Sequence, residues 1–443
     1  MVYHPGSDVE DLENYKVSGY HPTVIGETFR DGRYKVVHKL GCGSYSTSWL
    51  ARDEHLERYV ALKILVASET SKSQEPVILR LLHDSGSTHQ GNQFIPRLLD
   101  DFELDGPNGR HLCLVQEAAT CTIGQAKEDS RNWMFPVEVA RSIAAQLILG
   151  LSYMHSRGVC HGDLHMRNFL IYNSNLGHLS PEELYTRYPL HQNPVTRTDG
   201  QAPEPHAPPQ AVVPMWIKTR GDELVDPIVK ISDYGTSFVA TNRKPAPTLQ
   251  TPALYLPPEG FFDESATPAA DVWSLGVNLY EVLGERPLFE TFAWAPDDIL
   301  AEMVSTLGPM PQRWLDEWAK RSNVFNDDGK GRRGAYRRFA PPVFRRLHQR
   351  MWDMGCGETP ETCQWDVEGG EMRAVEEMLR GMLAYEPDQR LTAEELLESE
   401  YMLRWALPAW ERQKRRQEGI GVMRPDNPHA CMDYRRDSVV CSS

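Results

Sequence analysis

The sequence predicts an α+β protein built as two lobes, a small mainly-β lobe followed by a larger mainly-α one. Three observations predict it. At 443 residues the chain exceeds one average domain. Residues 32–65, 94–102 and 111–116 carry alternating apolar positions separated by glycine-containing turns, the period-2 pattern of strands. From residue 136 onward apolar side chains recur at three-to-four spacing, as on the buried stripe of a helix.

Composition sets the outer bounds. A hydrophobic fraction of 40% and a charged fraction of 25% suit a globular core and exclude wholesale disorder. The formal net charge of −15 argues against nucleic acid as the main partner and is compatible with a basic substrate, although acidity also simply aids solubility. The eight cysteines, at 42, 113, 121, 160, 356, 363, 431 and 441, are scattered without a CxxC pair. That is the usage of a reducing compartment rather than of a disulfide framework or a zinc site. Residues 1–20 are polar and acidic with no apolar stretch of a signal peptide, and no run is long enough to span a bilayer. A soluble, intracellular protein with no membrane partner is expected.

Along the chain, residues 1–20 read as a flexible, loosely held arm. The first lobe occupies 21–118, with strands at 34–40, 47–51 and 59–65, a helix at 77–82, and strands at 94–102 and 111–116. The last two are joined by the Asp-Gly-Pro-Asn-Gly tip at 105–109. The second lobe occupies 119–410 and opens with a helix at 136–157, whose stripe is Val139, Ile143, Leu147, Leu151 and Met154. Residues 173–226 break the rhythm. The proline-rich, aperiodic stretch 192–214 reads as a surface insert or flexible spacer, with a short helix start at Pro181-Glu182-Glu183-Leu184 as the exception. Helices resume at 270–283, 297–307, 375–383 and 392–398, and 411–443 reads as a polar tail bearing Arg412, Lys414, Arg415 and Arg416. No internal repeat is present.

Chemistry concentrates in His161-Gly162-Asp163-Leu164-His165-Met166-Arg167-Asn168 and in Asp233-Tyr234-Gly235. An aspartate and an asparagine five positions apart, with a second aspartate on a later turn, are suited to orienting a hydroxyl and holding a divalent cation on a nucleotide. Gly41-Cys42-Gly43-Ser44-Tyr45-Ser46 lies between two predicted strands, where two glycines let backbone N–H groups approach a polyphosphate. Val60-Ala61-Leu62-Lys63 follows on an apolar strand, where a lysine is costly unless its ammonium meets anions. Its expected carboxylate is Glu75, confined by Pro76 to the first helical turn, with Glu69 as the alternative. Asp163 is read as the hydroxyl-directing group, Asn168 and Asp233 as the metal-holding pair, and His161 as a packing residue beneath the loop. Three further residues are read as structural: Asp271 accepting N–H groups of the 161–168 turn, and Glu259 paired with Arg390.

The order of glycine turn, Val-Ala-Leu-Lys, HxDxxxxN, Asp-Tyr-Gly, Pro258-Glu259, Asp271-x-Trp273-Ser274-Leu275-Gly276 and Asp388-x-Arg390 resembles the eukaryotic protein kinase fold across roughly 32–405. Gly19-Tyr20-His21-Pro22, Gly32-Arg33-Tyr34, the run from Lys39 to Ala51 and Leu307-Gly308-Pro309-Met310-Pro311 narrow it to a divergent, fungal-type likeness to the SR-protein kinases. The resemblance implies a serine/threonine kinase using ATP and Mg²⁺. Arg/Ser-rich splicing proteins are its implied substrates, and it is expected as a monomer in cytoplasm and nucleus. It places Lys63, Asp163 and His165 in catalysis. Leu40, the 41–46 turn, Ser48, Ala61, Gln116, Glu117, Ala119 and Leu170 are placed around the nucleotide, with backbone hydrogen bonds from 117–119. Several positions depart from the family pattern. Ser46 replaces the third glycine, Ser48 a valine over the adenine, His165 a lysine at the γ-phosphate and Leu256 an arginine near the substrate's +1 position. Gly162 replaces the arginine that receives a phosphorylated activation segment, which predicts activity without such phosphorylation. Asp297, Asp298, Asp316 and Glu317 suit arginine-rich peptides or, equally, solvated helix faces. Two other functions are compatible with parts of this pattern. A non-catalytic scaffold is favoured by Ser48, His165 and Pro76 but opposed by the intact Lys63, Asp163, Asn168 and Asp233. A small-molecule phosphotransferase shares His-Gly-Asp-Leu-His but lacks the Glu259, Asp271 and Arg390 platform.

Overall fold

A computed structural model describes residues 1–6, 8–83, 86–172, 176–202, 204–240, 249–291, 295–324, 345–352, 354 and 364–422. The first lobe is a six-stranded antiparallel sheet of β1 (Thr28–Phe29), β2 (Tyr34–Gly43), β3 (Ser46–Asp53), β4 (Arg58–Leu65), β5 (Leu98–Gly106) and β6 (Gly109–Glu117), in the order β1-β2-β3-β4-β6-β5. Its inner face buries Tyr34, Val36, Trp49, Val60, Leu62 and Val115, the alternating positions of the sequence pattern. One helix, α1 (Glu75–Leu82), crosses this lobe and starts where Pro76 demands. The strand expected from Phe94 starts only at Leu98, as β5, because Phe94 ends a 3₁₀ turn over Gln90–Phe94.

The second lobe is mainly helical. It begins with β7 (Cys121–Thr122), α2 (Ile123–Glu128) and the long α3 (Val137–Ser156), which is buried over most of its length. Short strands β8 (Val159–Cys160) and β9 (Phe169–Tyr172) frame the 161–168 turn. They pair with β13 (Phe238–Val239) and β12 (Ile228–Ile231), which frame Asp233. Two pairs of hydrogen-bonded strands therefore bring together residues about 70 positions apart. The helices α5 (Pro268–Leu283), α6 (Pro296–Leu307), α7 (Gln312–Glu317), α8 (Arg321–Val324), α9 (Leu347–Trp352), α10 (Glu371–Met382) and α11 (Ala393–Leu397) follow, and all of them except α8 contribute side chains to the core or against it. The last helix among the described residues is α12 (Leu407–Val422). Among the described residues no helix is long and apolar enough to cross a membrane.

Three expectations are corrected. Residues 1–20 are not loosely held: Tyr3, Leu12, Tyr15 and Tyr20 are buried against Val195, Ala207 and Ala211 of the insert. The 173–226 insert is likewise packed where it is described. It contains α4 (Pro181–Arg187) and a hairpin of β10 (Gln192–Pro194) with β11 (Gln210–Val212), and Leu184, Met215 and Ile217 are buried against Val37, Leu50 and Tyr59 of the sheet. The tail assigned to 411–443 begins inside α12, where Gln413 is buried and Arg412 and Arg416 pair with Glu138 and Asp226. Burial of widely spaced aromatic and aliphatic side chains, rather than any local period, holds the first two segments, and the buried Gln413 with the two ion pairs holds the start of the third. Residues 423–443 of that tail, with Cys431 and Cys441, lie outside the described residues, as do Cys356 and Cys363.

Candidate active site

The site forms where the sheet meets the helical lobe. Lys63 lies on β4 opposite Ser48 on β3, and its ammonium reaches Glu75 of α1 at 2.7 and 3.0 Å. The same nitrogen donates to Asp233 Oδ1 at 2.7 Å, joining residues 170 positions apart across the two lobes. Glu69, the alternative partner, instead accepts from Lys72 at 2.9 Å. Burial opposes charge on Lys63, but the two carboxylates outweigh it and hold the ammonium above its ordinary range. The Lys63 ammonium in turn holds the Asp233 carboxyl down to about 2. Burial lifts the Glu75 carboxyl above its usual value against the pull of the same ammonium.

Asp233 adopts a left-handed backbone, φ 66°, which a non-glycine residue sustains only when its surroundings fix it. Those surroundings are the 161–168 turn. Ser232 donates its N–H and its hydroxyl to the Asn168 carbonyl at 2.8 and 2.9 Å, and His161 Nε2 meets the Ser232 carbonyl at 3.0 Å. His161 Nδ1 accepts from the Asp163 N–H at 3.2 Å, so Nε2 carries the proton. Burial pushes this imidazole's pKa down and keeps it a neutral strut.

Asp163 and Asn168 face each other within the turn. Asn168 Nδ2 donates to the Asp163 carbonyl at 2.9 Å and lies 3.4 Å from its carboxylate. Asp163 Oδ1 is buried without a hydrogen-bond partner, and His165 Nε2 stands 3.6 Å from it. An unpartnered carboxylate oxygen is chemically able to accept a hydroxyl. Asp271, in the first turn of α5, accepts the N–H groups of His161 and Gly162 at 2.7 and 2.9 Å and stands 3.1 Å from His155 Nε2. Burial pushes its carboxyl up, yet His155 and these N–H groups hold it below the usual range. Glu259 and Arg390 form a buried bidentate pair at 2.6 and 2.7 Å, and the other three Arg390 donor contacts go to the carbonyls of Ala384, Ala269 and Tyr385.

The 41–46 turn caps the hairpin of β2 and β3, with Leu40 half-buried before it and Cys42 to Tyr45 exposed. Ala61 on β4 pairs with Gln116 on β6, and Leu170 on β9 pairs with Lys230 and Thr122. Residues 118–120 link the lobes, and Thr120 N–H ties that link to the Ile171 carbonyl at 2.8 Å. The Glu117 side chain is occupied elsewhere: its carboxylate pairs with Lys230, on a cavity of about 490 Å³ that also bears His83 and Arg97. Asp297 is likewise engaged, by Trp318 Nε1 and Lys320 at 2.8 Å each, and Asp316 accepts from Gln312 at 2.7 Å.

The donor set fits a hard divalent cation carried in with a nucleotide. Asp233 and Asn168 offer oxygen ligands, and among the described residues no group of three His, Cys, Asp or Glu is placed to hold a metal alone. A cation here would complete its shell with phosphate and water. Sequence reasoning missed the hydroxyls that brace the turn. Thr236 and Ser237 donate to the His161 carbonyl at 3.3 and 3.1 Å, and Thr251 donates to the Gly162 carbonyl at 2.9 Å. Small polar residues in loops carry no period that would have revealed them.

Comparison with known proteins agrees with this geometry. The family model described as the protein kinase domain matches residues 34–180 and 216–402. The serine/threonine-protein kinase SRPK of Physarum polycephalum is 29% identical over 410 residues, covering 89% of this chain and 92% of that protein. Protein kinase dsk1 of Schizosaccharomyces pombe is 39% identical over 175 residues, 39% of this chain and 32% of its own length. The human SRSF protein kinase 3 is 37% identical over 174 residues, 38% of this chain and 30% of its own length.

Proposed function

The chain belongs to the protein kinase family as a serine/threonine protein kinase, and we propose that it carries the γ-phosphoryl of ATP to serine hydroxyls of basic, Arg/Ser-rich proteins. The observation that carries the nucleotide reading is the Lys63 ammonium shared between Glu75 and Asp233, together with an Asp163 whose buried Oδ1 has no hydrogen-bond partner. Lys63 holds the α- and β-phosphates, with Glu75 fixing its rotamer. The 41–46 turn covers the phosphates with backbone N–H groups. Asn168 and Asp233 are the residues that would hold Mg²⁺, which supplies charge neutralisation between the phosphates when bound. Asp163 accepts and orients the serine hydroxyl for in-line attack, and His165 lies beside the same carboxylate. The hinge at 117–119 offers backbone hydrogen bonds to the adenine, with Leu40, Ala61 and Leu170 as apolar walls and Ser48 and Gln116 at the rim.

Transfer proceeds without phosphorylation of the 233–259 segment. Gly162 offers no cation there, and hydroxyls of Thr236, Ser237 and Thr251 already bind the turn. The net charge of −15 favours a basic substrate. The kinase acts as a monomer in cytoplasm and nucleus. The test is transfer of label from γ-labelled ATP with Mg²⁺ to Arg/Ser peptides, their serine-to-alanine counterparts and small alcohols. Wild type labels the serine peptides alone, and Asp163→Asn loses about 10²–10⁴ of the rate. Equal labelling by wild type and Asp163→Asn would sink the enzyme reading.

A further inference from the structure

The turn that covers the phosphates has little of its own to hold it. A Cβ placed on Gly41 or Gly43 meets nothing within 4 Å. From outside the hairpin, Ser46 pairs with Leu65 of β4, Val66 N–H donates to the Tyr45 carbonyl at 2.9 Å, and the Tyr20 hydroxyl donates to the Gly43 carbonyl at 2.7 Å. Tyr20 belongs to the Gly19-Tyr20-His21-Pro22 run, to which the reaction chemistry assigns nothing.

Tyr20 is itself fixed from several sides. Its ring is buried and packs edge-on against Tyr15 at 5.5 Å. Its carbonyl accepts from Asn108 Nδ2 at 2.5 Å, and the same amide nitrogen donates to the His206 carbonyl of the insert at 2.8 Å. Gly19 permits the close turn before it, since a Cβ there would lie 2.0 Å from the Asn14 carbonyl. Behind Tyr20, the Tyr15 hydroxyl donates to Glu10, and Glu10 pairs with Lys39, a fully buried ammonium on β2 two positions before Gly41. Burial, with Cys42 and Glu10 nearby, pushes the Tyr20 phenol up to about 12, so the group remains a donor at working pH.

We infer that Tyr20 is a positioning residue for phosphoryl transfer. Its hydroxyl, held by the N-terminal segment and the insert, ties down the Gly43 peptide so that the N–H groups of the turn stay aimed at the nucleotide. This rests on the nucleotide reading given above. Cys42, exposed in the turn, provides a local reporter that does not depend on activity.

The test uses the full chain as wild type, Tyr20→Phe and Tyr3→Phe. The last removes a hydroxyl from the end of the segment that pairs with residues 196–198. KM for ATP, kcat, and the rate of Cys42 alkylation by iodoacetamide, followed by peptide mass spectrometry, are measured for each. Tyr20→Phe raises KM about fivefold with kcat within about twofold, and speeds Cys42 alkylation about fivefold, the loss of one net hydrogen bond. Tyr3→Phe matches wild type in all three. MgATP slows Cys42 alkylation in wild type. Tyr20→Phe equal to wild type in KM or in alkylation rate overturns the inference, whatever happens to thermal stability. Wild-type Cys42 unprotected by MgATP, together with no transfer, overturns the nucleotide reading and this inference with it.

Discussion

Replacing Asp271 by asparagine tests whether the catalytic turn is held by a carboxylate. Asp271 is about 2% exposed and receives the N–H groups of His161 and Gly162 at 2.7 and 2.9 Å, with His155 Nε2 at 3.1 Å. An amide of the same shape keeps one oxygen and turns an NH₂ group toward a donor. One charge-assisted bond worth about 1.5–3 kcal/mol is lost, and one buried N–H is left unpaired at a further ~1–3 kcal/mol. Relief of the buried carboxylate's desolvation returns part of this, leaving a net loss of about 2–4 kcal/mol. Urea unfolding followed by fluorescence reads the stability. A turn displaced by ~1 Å lowers kcat about 10²-fold, because transfer depends on in-line alignment. The Asp271 carboxyl is depressed in the folded state, so its contribution is complete above the ordinary carboxyl range. It is lost as pH falls through the lower, folded value. The gap between wild type and variant is therefore full at pH 7 and narrows below about pH 4. A variant within about 0.5 kcal/mol of wild type with unchanged kcat would refute the reasoning, since that is the ordinary scatter of a surface substitution.

Three further outcomes are expected. Glu75→Gln leaves Lys63 with Asp233 as its remaining carboxylate partner and lowers kcat/KM for ATP about 10²-fold, read from initial rates; a loss under threefold would show that Glu75 does not position Lys63. His165→Lys raises kcat, read from initial rates, because an ammonium brings a full positive charge to the place where His165 Nε2 stands 3.6 Å from the Asp163 carboxylate. An unchanged kcat would remove His165 from charge neutralisation. Glu259→Gln leaves the buried Arg390 guanidinium without its counter-charge and costs about 3–5 kcal/mol in urea unfolding, and a cost below ~1 kcal/mol would count against that pair as a structural strut.

Local chemistry was legible wherever period or punctuation encodes it. The alternation in 59–65 gave β4 and with it Lys63, Pro76 gave the start of α1 and so Glu75, and the apolar stripe from Val139 gave α3. The packing of residues 1–20 and of the insert was not legible. Their buried side chains are few and irregularly spaced, and each is buried by the other segment or by the sheet rather than by its own neighbours. Lys39 shows the limit well. The strand 34–40 was readable, but an ammonium at zero exposure makes sense only with Glu10, 29 residues earlier, in a segment whose polarity reads as solvated. A carboxylate's partner over such a distance has no local signature.

The departure at Gly162 shows how a lost cation and a gained conformation go together. Gly162 sits at φ 79°, and a Cβ there would lie 3.4 Å from the Thr236 carbonyl. An arginine at this position would carry a left-handed penalty of ~1 kcal/mol or more. A Cβ at 3.4 Å is in ordinary contact, so the positive φ and not the space is what favours glycine; around this turn Thr236 and Ser237 reach the His161 carbonyl, while Thr251 reaches the Gly162 carbonyl. Three neutral hydrogen bonds at ~1 kcal/mol each thus supply order that elsewhere comes from a guanidinium meeting a phosphate. Neutral bonds of this kind are insensitive to salt and need no modifying enzyme, whereas a phosphate–arginine contact is sensitive to both. On the proposed reading, in which transfer needs no phosphorylation, the substitution that removes the cation thus sits in a turn that neighbouring hydroxyls already brace.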